Sequence, residues 1–292
     1  MLLCHIGETT PGIHHYELNL RSLYSDRADR QLFERRWHDF AATDPDHAGL
    51  FRRESDTLIY PTESFLTQTS DGRPPVLLVL GNPASQSVRA GMCFAFERNS
   101  QHEHRFWRAL RIANWLSFNE PCLIEPDVAT RNAQRRTQLL SGQYQSPFRI
   151  GIDVFFTFPS PASAPRWSGV SGLKNLFGSR ALRLIAHAER QRLAQTIARF
   201  MTEAGAVVAF QRDAYEGLRA NAAPAYTAPI ARVGALTSPS AADYPVPLFG
   251  APPTRFAHTQ AFHQVLQIYA ATITRAPSAP ARPGVRLRPH HE

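Results

Sequence analysis

Apolar runs of strand length alternate with amphipathic segments through the middle of the chain. Each run is followed by residues whose apolar positions recur at helical spacing, in segments that begin near Phe106, Ser179, Asp213 and Phe256. Strands that alternate with helices favour a parallel sheet covered on both faces. We therefore expect an α/β fold, a three-layer α/β/α sandwich with a central, mainly parallel four-stranded sheet. The predicted strands are residues 76–80, 148–158, 206–210 and 231–236.

The two ends of the chain differ from this middle part. Residues 1–74 combine one predicted helix, Arg27–Phe40, with turn-rich stretches, and we interpret them as a partly helical N-terminal extension. Residues 75–275 carry the predicted α/β domain. Residues 276–292 are rich in proline and arginine, which is typical of a disordered tail. Two interpretations of this tail stay open, an arm that contacts nucleic acid and a solvated end.

The composition is that of a soluble globular protein. Of 292 residues, 43% are hydrophobic and 19% are charged, which excludes collagen-like, coiled-coil and wholly disordered chains. No apolar run approaches the roughly 18 residues that a membrane span needs. The first residues also lack a basic segment followed by an apolar stretch of secretory length. These patterns predict a cytoplasmic protein with no membrane partner.

The net charge points toward polyanionic partners. The formal charge is +8 and the pI is about 9.9, a balance that favours phosphate neutralisation and counterion release. Lys174 is the only lysine among the basic residues, so the arginine content also fits a bias in genomic base composition. The charge alone therefore leaves a nucleic-acid partner as one of two explanations.

The cysteine and histidine positions do not suggest a metal site. Cys4, Cys93 and Cys122 lie far apart and form no CxxC pair, which argues against a disulfide framework, a zinc knuckle and an iron–sulfur cluster. His102 and His104 flank Glu103, but residues two apart on a starting helix do not share a face. We expect reduced thiols, a solvated turn at residues 102–104, and neither metal nor cofactor.

Several short motifs follow the predicted strands in register. After the first strand come LGNPASQS at residues 80–87, GMCFA at 91–95 and HRFW at 104–107. Further motifs are GIDV at 151–154, AFQRDAYE at 209–216 and LTSPS at 236–240. Together they resemble the uracil-DNA glycosylase superfamily, most closely its mismatch-specific uracil and hypoxanthine types. The resemblance covers about residues 76–274 and implies DNA that contains a deaminated or modified base as the partner.

The resemblance also implies roles for individual residues. Such enzymes draw the target base out of the stack into a pocket that grips it by ring stacking and edge hydrogen bonds. Asn82 matches the asparagine that positions the attacking water, and an amide can orient water without acting as a strong base. The implied catalytic residues are Asn82, Asp153 and Ser238; the base-binding residues are Gly81, Phe94 and Ser240; the DNA-binding residues are Ser85, Arg89 and Pro239.

Some positions depart from the family pattern or have other interpretations. Ser238 stands where the uracil-type enzymes often carry histidine or asparagine, and His104 replaces the usual asparagine. Asp153 lies inside an apolar strand, where an unpaired carboxylate is costly, so it is either a buried hydrogen-bonded acceptor or a functional acid. Asn82 is also a common turn former before proline, and Phe94 also fits a core position.

The leading functional hypothesis is a monomeric, nucleoid-associated DNA glycosylase-like hydrolase that cleaves the N-glycosidic bond of a deaminated or modified base. Parallel strands bring their carboxyl ends to one edge of the sheet, so Asn82, Phe94, Asp153 and Ser238 are expected around one cleft. One rival is a non-catalytic DNA- or nucleotide-binding protein that retains the fold. Another is an unrelated flavodoxin-like enzyme that uses the same strand ends.

Overall fold

A computed structural model describes residues 1–73, 75–95, 104–112, 116–200, 206–210, 212–219 and 230–232. Its strands form two sheets, one antiparallel and one mostly parallel. The strands are β1 (Leu3–Thr10), β2 (Ile13–Asn19), β3 (Arg52–Glu54), β4 (Thr57–Glu63), β5 (Phe65–Leu66), β6 (Pro75–Leu80), β7 (Arg149–Val154), β8 (Ala206–Ala209) and β9 (Ile230–Arg232).

Helices occupy most of the remaining described chain, and several begin at a side-chain cap. The Asp26 carboxylate accepts from the Ala28 amide at 2.7 Å, and the Asp127 carboxylate accepts from Thr130 at 2.7 Å. The helices are α1 (Leu20–Leu23), α2 (Arg27–Ala41), α3 (Pro45–Ala48), α4 (Ser85–Ala90), α5 (Arg105–Ile112), α6 (Glu120–Ile124), α7 (Val128–Ser141), α8 (Gly169–Phe177), α9 (Ser179–Phe200) and α10 (Arg212–Arg219).

The mostly parallel sheet has the strand order β5-β7-β6-β8-β9. Strands β6 to β9 are parallel neighbours, with Leu78 opposite both Ile152 and Val208. Strands β6, β7 and β8 fall within the predicted strands 76–80, 148–158 and 206–210 or overlap them, and β9 includes the described start of 231–236. The expectation of an α/β chain with a mostly parallel sheet is therefore confirmed. The sheet is not four-stranded, however, because β5 adds an antiparallel edge in which Phe65 pairs with Ile152.

The predicted helices agree in part with the structure. Helices α2, α5, α9 and α10 lie where the apolar spacing places them. The predicted helix over 256–274 lies outside the described residues, and so do the tail at 276–292 and the end of the predicted strand 231–236. The apolar spacing gave no indication of α1, α3, α4, α6, α7 and α8.

Two apolar clusters cover opposite faces of the parallel sheet. Successive residues of a strand point to opposite faces, and accordingly Leu78 joins one cluster while Leu77 joins the other. The first cluster packs against α5, α6 and α7, and the second packs against α2, α8 and α9. Helices therefore lie over both faces, as the continuous apolar character of the strands indicates.

Residues 1–74 contain an antiparallel sheet that the sequence patterns did not predict. Its order is β1-β2-β4-β3, and the pairing of β1 with β2 shifts register between His5 and Gly7 and again between Glu8 and Thr10. Side chains from this segment, including Phe33, belong to the same apolar cluster as Leu77. The segment is therefore packed onto the parallel sheet and shares its core.

No helix in the described part of the chain is long and apolar enough to cross a membrane.

Candidate functional site

The turn after β6 carries the first predicted site residues, and the chain after β7 holds it in place. The Phe155 amide donates to the Leu80 carbonyl at 2.7 Å, and the Phe156 amide donates to the Gly81 carbonyl at 2.8 Å. The two parallel strands thus stay hydrogen-bonded past their formal ends. Gly81 is buried, and its carbonyl is occupied by this bond. Asn82 follows directly at the carboxyl edge of the sheet.

The Asn82 side chain has one end engaged and one end open. Its amide Nδ2 donates to Ser160 Oγ at 2.9 Å and to the Phe158 carbonyl at 3.2 Å, with a longer contact of 3.3 Å to the Pro83 carbonyl. Its Oδ1 makes no hydrogen bond within the described part of the chain, and the residue is only half-buried. The open atom is therefore an acceptor, which can bind a water hydrogen.

Phe94 is held between two other rings. It stacks on Phe106 at a centroid distance of 4.3 Å and on His104 at 4.7 Å, with interplanar angles of 28° and 25°. If the rings of His104 and Phe106 lay on the same face of Phe94, they would overlap at these distances and angles. They therefore lie on its two opposite faces. A base that stacks on Phe94 must therefore displace one of them, and the buried Phe106 belongs to the apolar core.

The backbone at Phe94 is unusual as well. Its φ is +50°, a left-handed conformation that a bulky non-glycine residue rarely adopts. The Trp107 indole donates to the Phe94 carbonyl at 2.9 Å and thereby fixes this conformation. Strained residues of this kind cluster at functional sites, which agrees with a role for Phe94 beyond core packing.

Ser85 and Arg89 lie together on α4 but are engaged by the N-terminal segment. They line a cavity of about 280 Å³ with Asp46, His47 and the loop after β7. Arg89 forms an ion pair with Asp46, and Ser85 Oγ lies 2.6 Å from His47 Nδ1. Burial lowers the pKa of His47 to about 4, although the negative charge of Asp44 acts to raise it. At neutral pH the His47 ring is therefore uncharged, and Arg89 carries the positive charge of this group.

Asp153 belongs to a buried ionic cluster and does not face the turn at Asn82. Arg192 on α9 donates to its two carboxylate oxygens at 3.0 and 3.2 Å. The same guanidinium donates through Nε to Glu189 at 2.7 Å, and Glu189 accepts from the Thr157 amide at 2.6 Å. Burial raises the pKa of Glu189, while the charge of Arg192 lowers it. Of the two interpretations of Asp153, this geometry favours the buried acceptor.

The remaining predicted site residues lie outside the described residues. These are Ser238, Pro239 and Ser240. Among the predicted residues that are described, Gly81, Asn82, Ser85 and Arg89 share one turn and helix, while Asp153 points to α9. Within the described chain, no group of three or more His, Cys, Asp or Glu side chains is placed to hold a metal ion.

No protein-family model matches the chain, and no curated protein matches it. Any assignment of function therefore depends on the residues around Asn82 and Phe94.

Sequence reasoning missed two residues near this edge of the sheet. Ser160 bonds the Asn82 amide, and the only signal for it was its place in the loop after a predicted strand. Glu63 ends β4 with its side chain buried, and its Oε2 has no hydrogen-bond partner in the described chain. Nothing in the local sequence distinguishes Glu63 from a solvated glutamate, because its burial depends on the unpredicted antiparallel sheet.

Glu63 is expected to make a contribution to the free energy of unfolding that falls as pH rises. Desolvation raises its pKa from an ordinary 4.5 to about 8. Between these values the folded chain holds on Glu63 a proton that the unfolded chain releases, so this contribution decreases by about 1.4 kcal/mol per pH unit. The lowered pKa of His47 acts in the opposite direction up to about pH 6.5, so the slopes of variant and unmodified chain must be compared. In chemical denaturation from pH 5 to 8, Glu63→Gln should make the slope of stability against pH more positive by about 1.4 kcal/mol per unit. The exposed control Glu120→Gln should keep the slope of the unmodified chain, and an unchanged slope in Glu63→Gln would contradict the assignment.

Proposed function

We propose that the chain is a DNA glycosylase-like hydrolase that cleaves the N-glycosidic bond of a deaminated or modified base. The observation that carries this proposal is the Asn82 side chain, whose amide NH₂ is bound by protein oxygens while its Oδ1 stays open at the carboxyl edge of the sheet. Ligands of open α/β sheets bind at this edge. The fold that goes with the proposal is a three-layer α/β/α sandwich around the mostly parallel sheet.

The chemistry of base excision suits this arrangement. Departure of the base leaves positive charge on the sugar and negative charge on the base, so the site needs an oriented water more than a strong base. A water that donates to Asn82 Oδ1 keeps its lone pairs free to attack the sugar carbon, and the proton that this water then loses neutralises the departed base anion. The reaction as proposed uses Asn82 for the water and Phe94 for the base, which takes the place of the His104 ring because Phe106 belongs to the core. Ser238 lies near the leaving base in this proposal, and neither metal nor cofactor takes part.

Contact with DNA is proposed to involve α4. Ser85 and Arg89 lie one helical turn apart, next to the turn that carries Asn82, and the whole chain has a net charge of +8. Arginine pairs well with phosphate oxygens. The Ser85 hydroxyl is buried against His47, so the phosphate contact proposed for α4 is assigned to Arg89, with Ser85 in a supporting role. The partner is then DNA with a damaged base, bound by a monomer in the cytoplasm at the nucleoid.

Asp46 is expected to weaken this contact, because its carboxylate pairs with Arg89 where a phosphate would bind. Both side chains are substantially exposed, and exposed pairs contribute about 0–1 kcal/mol, so Asp46→Asn should raise DNA affinity by up to about fivefold. Arg89→Gln should lower affinity and reduce the slope of log affinity against log salt by about one.

Fluorescence anisotropy with a labelled duplex at several salt concentrations measures both effects. Asp39→Asn is the matched control, since Asp39 pairs with Arg166 at 3.8 Å and lines no part of the cavity beside α4. An affinity that rises equally in Asp46→Asn and Asp39→Asn would reflect net charge alone and would remove Arg89 from the proposed interface.

The function itself is tested by abasic-site formation on oligonucleotides that carry uracil, hypoxanthine, xanthine or a hydroxymethylated base. Excision of at least one base by the full chain, lost in Asn82→Ala, is the expected result. The rival, a non-catalytic binding protein, is favoured by one observation: the rings of His104 and Phe106 occupy both faces of Phe94. Salt-dependent DNA binding with no excision of any base would select that rival.

A further inference from the structure

Ser160 meets the turn that follows β6 through its backbone. Its amide donates to the Pro83 carbonyl at 3.0 Å, and its carbonyl accepts from the Ser85 amide at 3.0 Å. These two bonds form a parallel bridge between Ala84 and Ser160. The loop after β7 is therefore attached to the loop after β6 without any help from the Ser160 side chain.

The Ser160 hydroxyl oxygen makes two further contacts. It accepts from Asn82 Nδ2 at 2.9 Å and from the Gly169 amide, at the start of α8, at 2.9 Å. The residue is 3% exposed, so water does not compete for this oxygen. A hydroxyl oxygen has two acceptor lone pairs, and both are used here.

Both hydrogens of the Asn82 side-chain amide are therefore hydrogen-bonded, which fixes the orientation of the amide. The Phe158 carbonyl can only accept, so it requires the NH₂ end of Asn82 on this side. The shorter contact to Ser160 Oγ engages the second hydrogen and sets the plane of the amide. The direction in which Oδ1 points into solvent follows from that plane.

We infer that Ser160 is a positioning residue for Asn82, one that orients its Oδ1 toward the water of the proposed reaction. This inference rests on the proposed function for its catalytic consequence. Ser160 touches neither the base nor the water; it acts through the Asn82 amide. Small errors in the placement of a reacting group can lower a rate by one to two orders of magnitude even where binding is unaffected.

Removing only the hydroxyl tests the inference, since Ser160→Ala keeps both backbone bonds of the loop. We expect Ser160→Ala to lower the single-turnover excision rate by about tenfold and to leave the Kd for lesion DNA within about twofold. In an Asn82→Ala background the same change should have no further effect on the rate, because the group that it positions is absent. Ser64→Ala, also at a buried serine but outside α4 and the turn after β6, is the matched control and should excise at the rate of the unmodified chain.

A spectroscopic readout separates this inference from the proposed function. In protein labelled with ¹⁵N-asparagine, the side-chain NH₂ signal that disappears in Asn82→Ala should exchange slowly with solvent in the unmodified chain and at least tenfold faster in Ser160→Ala. An unchanged exchange rate, or an equal loss of excision in both backgrounds, would overturn the positioning role. If the unmodified chain excises no base, the proposed function fails while the exchange rates still decide what Ser160 does to Asn82.

Discussion

Replacing Asn82 with alanine is expected to lower single-turnover excision by about 10²-fold or more while DNA binding stays within a few-fold. The open Oδ1 would contact the attacking water, whose interaction strengthens in the transition state, so its loss lowers the rate and spares ground-state affinity. A factor of 10² corresponds to about 2.7 kcal/mol of transition-state stabilisation. Rapid-quench measurement on the base that the unmodified chain excises, beside anisotropy on the same duplex, gives both quantities.

Asn175→Ala provides the control for this experiment. Asn175 is an exposed asparagine on α8 whose amide donates to the Arg166 carbonyl at 2.8 Å, and it makes no contact with the turn after β6. Its replacement should leave the excision rate unchanged. Full activity in Asn82→Ala, beside an active unmodified chain, would remove Asn82 from the mechanism.

Replacing Arg192 with methionine is expected to lower the free energy of unfolding by about 3–5 kcal/mol. The Asp153 and Glu189 side chains are 1% and 0% exposed, and Arg192 is the cation that neutralises both. Breaking such a cluster from one side leaves buried carboxylates without compensation, which is the costly case. Burial raises the pKa of Glu189 and the charge of Arg192 lowers it, so without Arg192 the folded chain should bind a proton at Glu189 more readily, and the loss is expected to be smaller at pH 5 than at pH 8.

Chemical denaturation of two further variants checks the cause. Arg52→Met removes an exposed arginine that pairs with Glu54 at 2.9 Å, and it should change stability by no more than about 1 kcal/mol. Adding Asp153→Asn and Glu189→Gln to Arg192→Met should recover part of the lost stability, because no unpaired charge then remains. A loss in Arg192→Met as small as that in Arg52→Met would show that the cluster contributes little.

The parallel strands could be predicted from the sequence because β6 and β8 are continuous apolar runs and the segment around β7 is mainly apolar, the pattern of strands buried on both faces. The antiparallel sheet could not. Strand β1 is half-buried or exposed along its whole length, so no alternation of apolar and polar residues marks it. The antiparallel edge strand of the mostly parallel sheet, β5, could not be predicted for another reason: its two residues, Phe65 and Leu66, are too few to show any period.

The side-chain contacts of the site could not be predicted from local sequence patterns either. The position of Asn82 followed from its motif, whereas the orientation of its amide depends on Ser160, which is 78 residues away in the chain. Likewise, the two interpretations of Asp153 could not be separated without its partner Arg192, 39 residues further on. Local patterns place a residue at a strand end, but its hydrogen-bond partners come from loops that only the folded chain brings together.

The two register shifts in β1 have a consequence for how copies of this protein behave beside one another. β1 is an edge strand, and an edge with regular spacing offers its free amides and carbonyls to any passing strand. Each irregularity twists the edge and interrupts that spacing, between His5 and Gly7 and again between Glu8 and Thr10. A neighbouring chain can therefore pair only with short regular stretches of β1. These irregularities oppose aggregation by strand pairing at this edge.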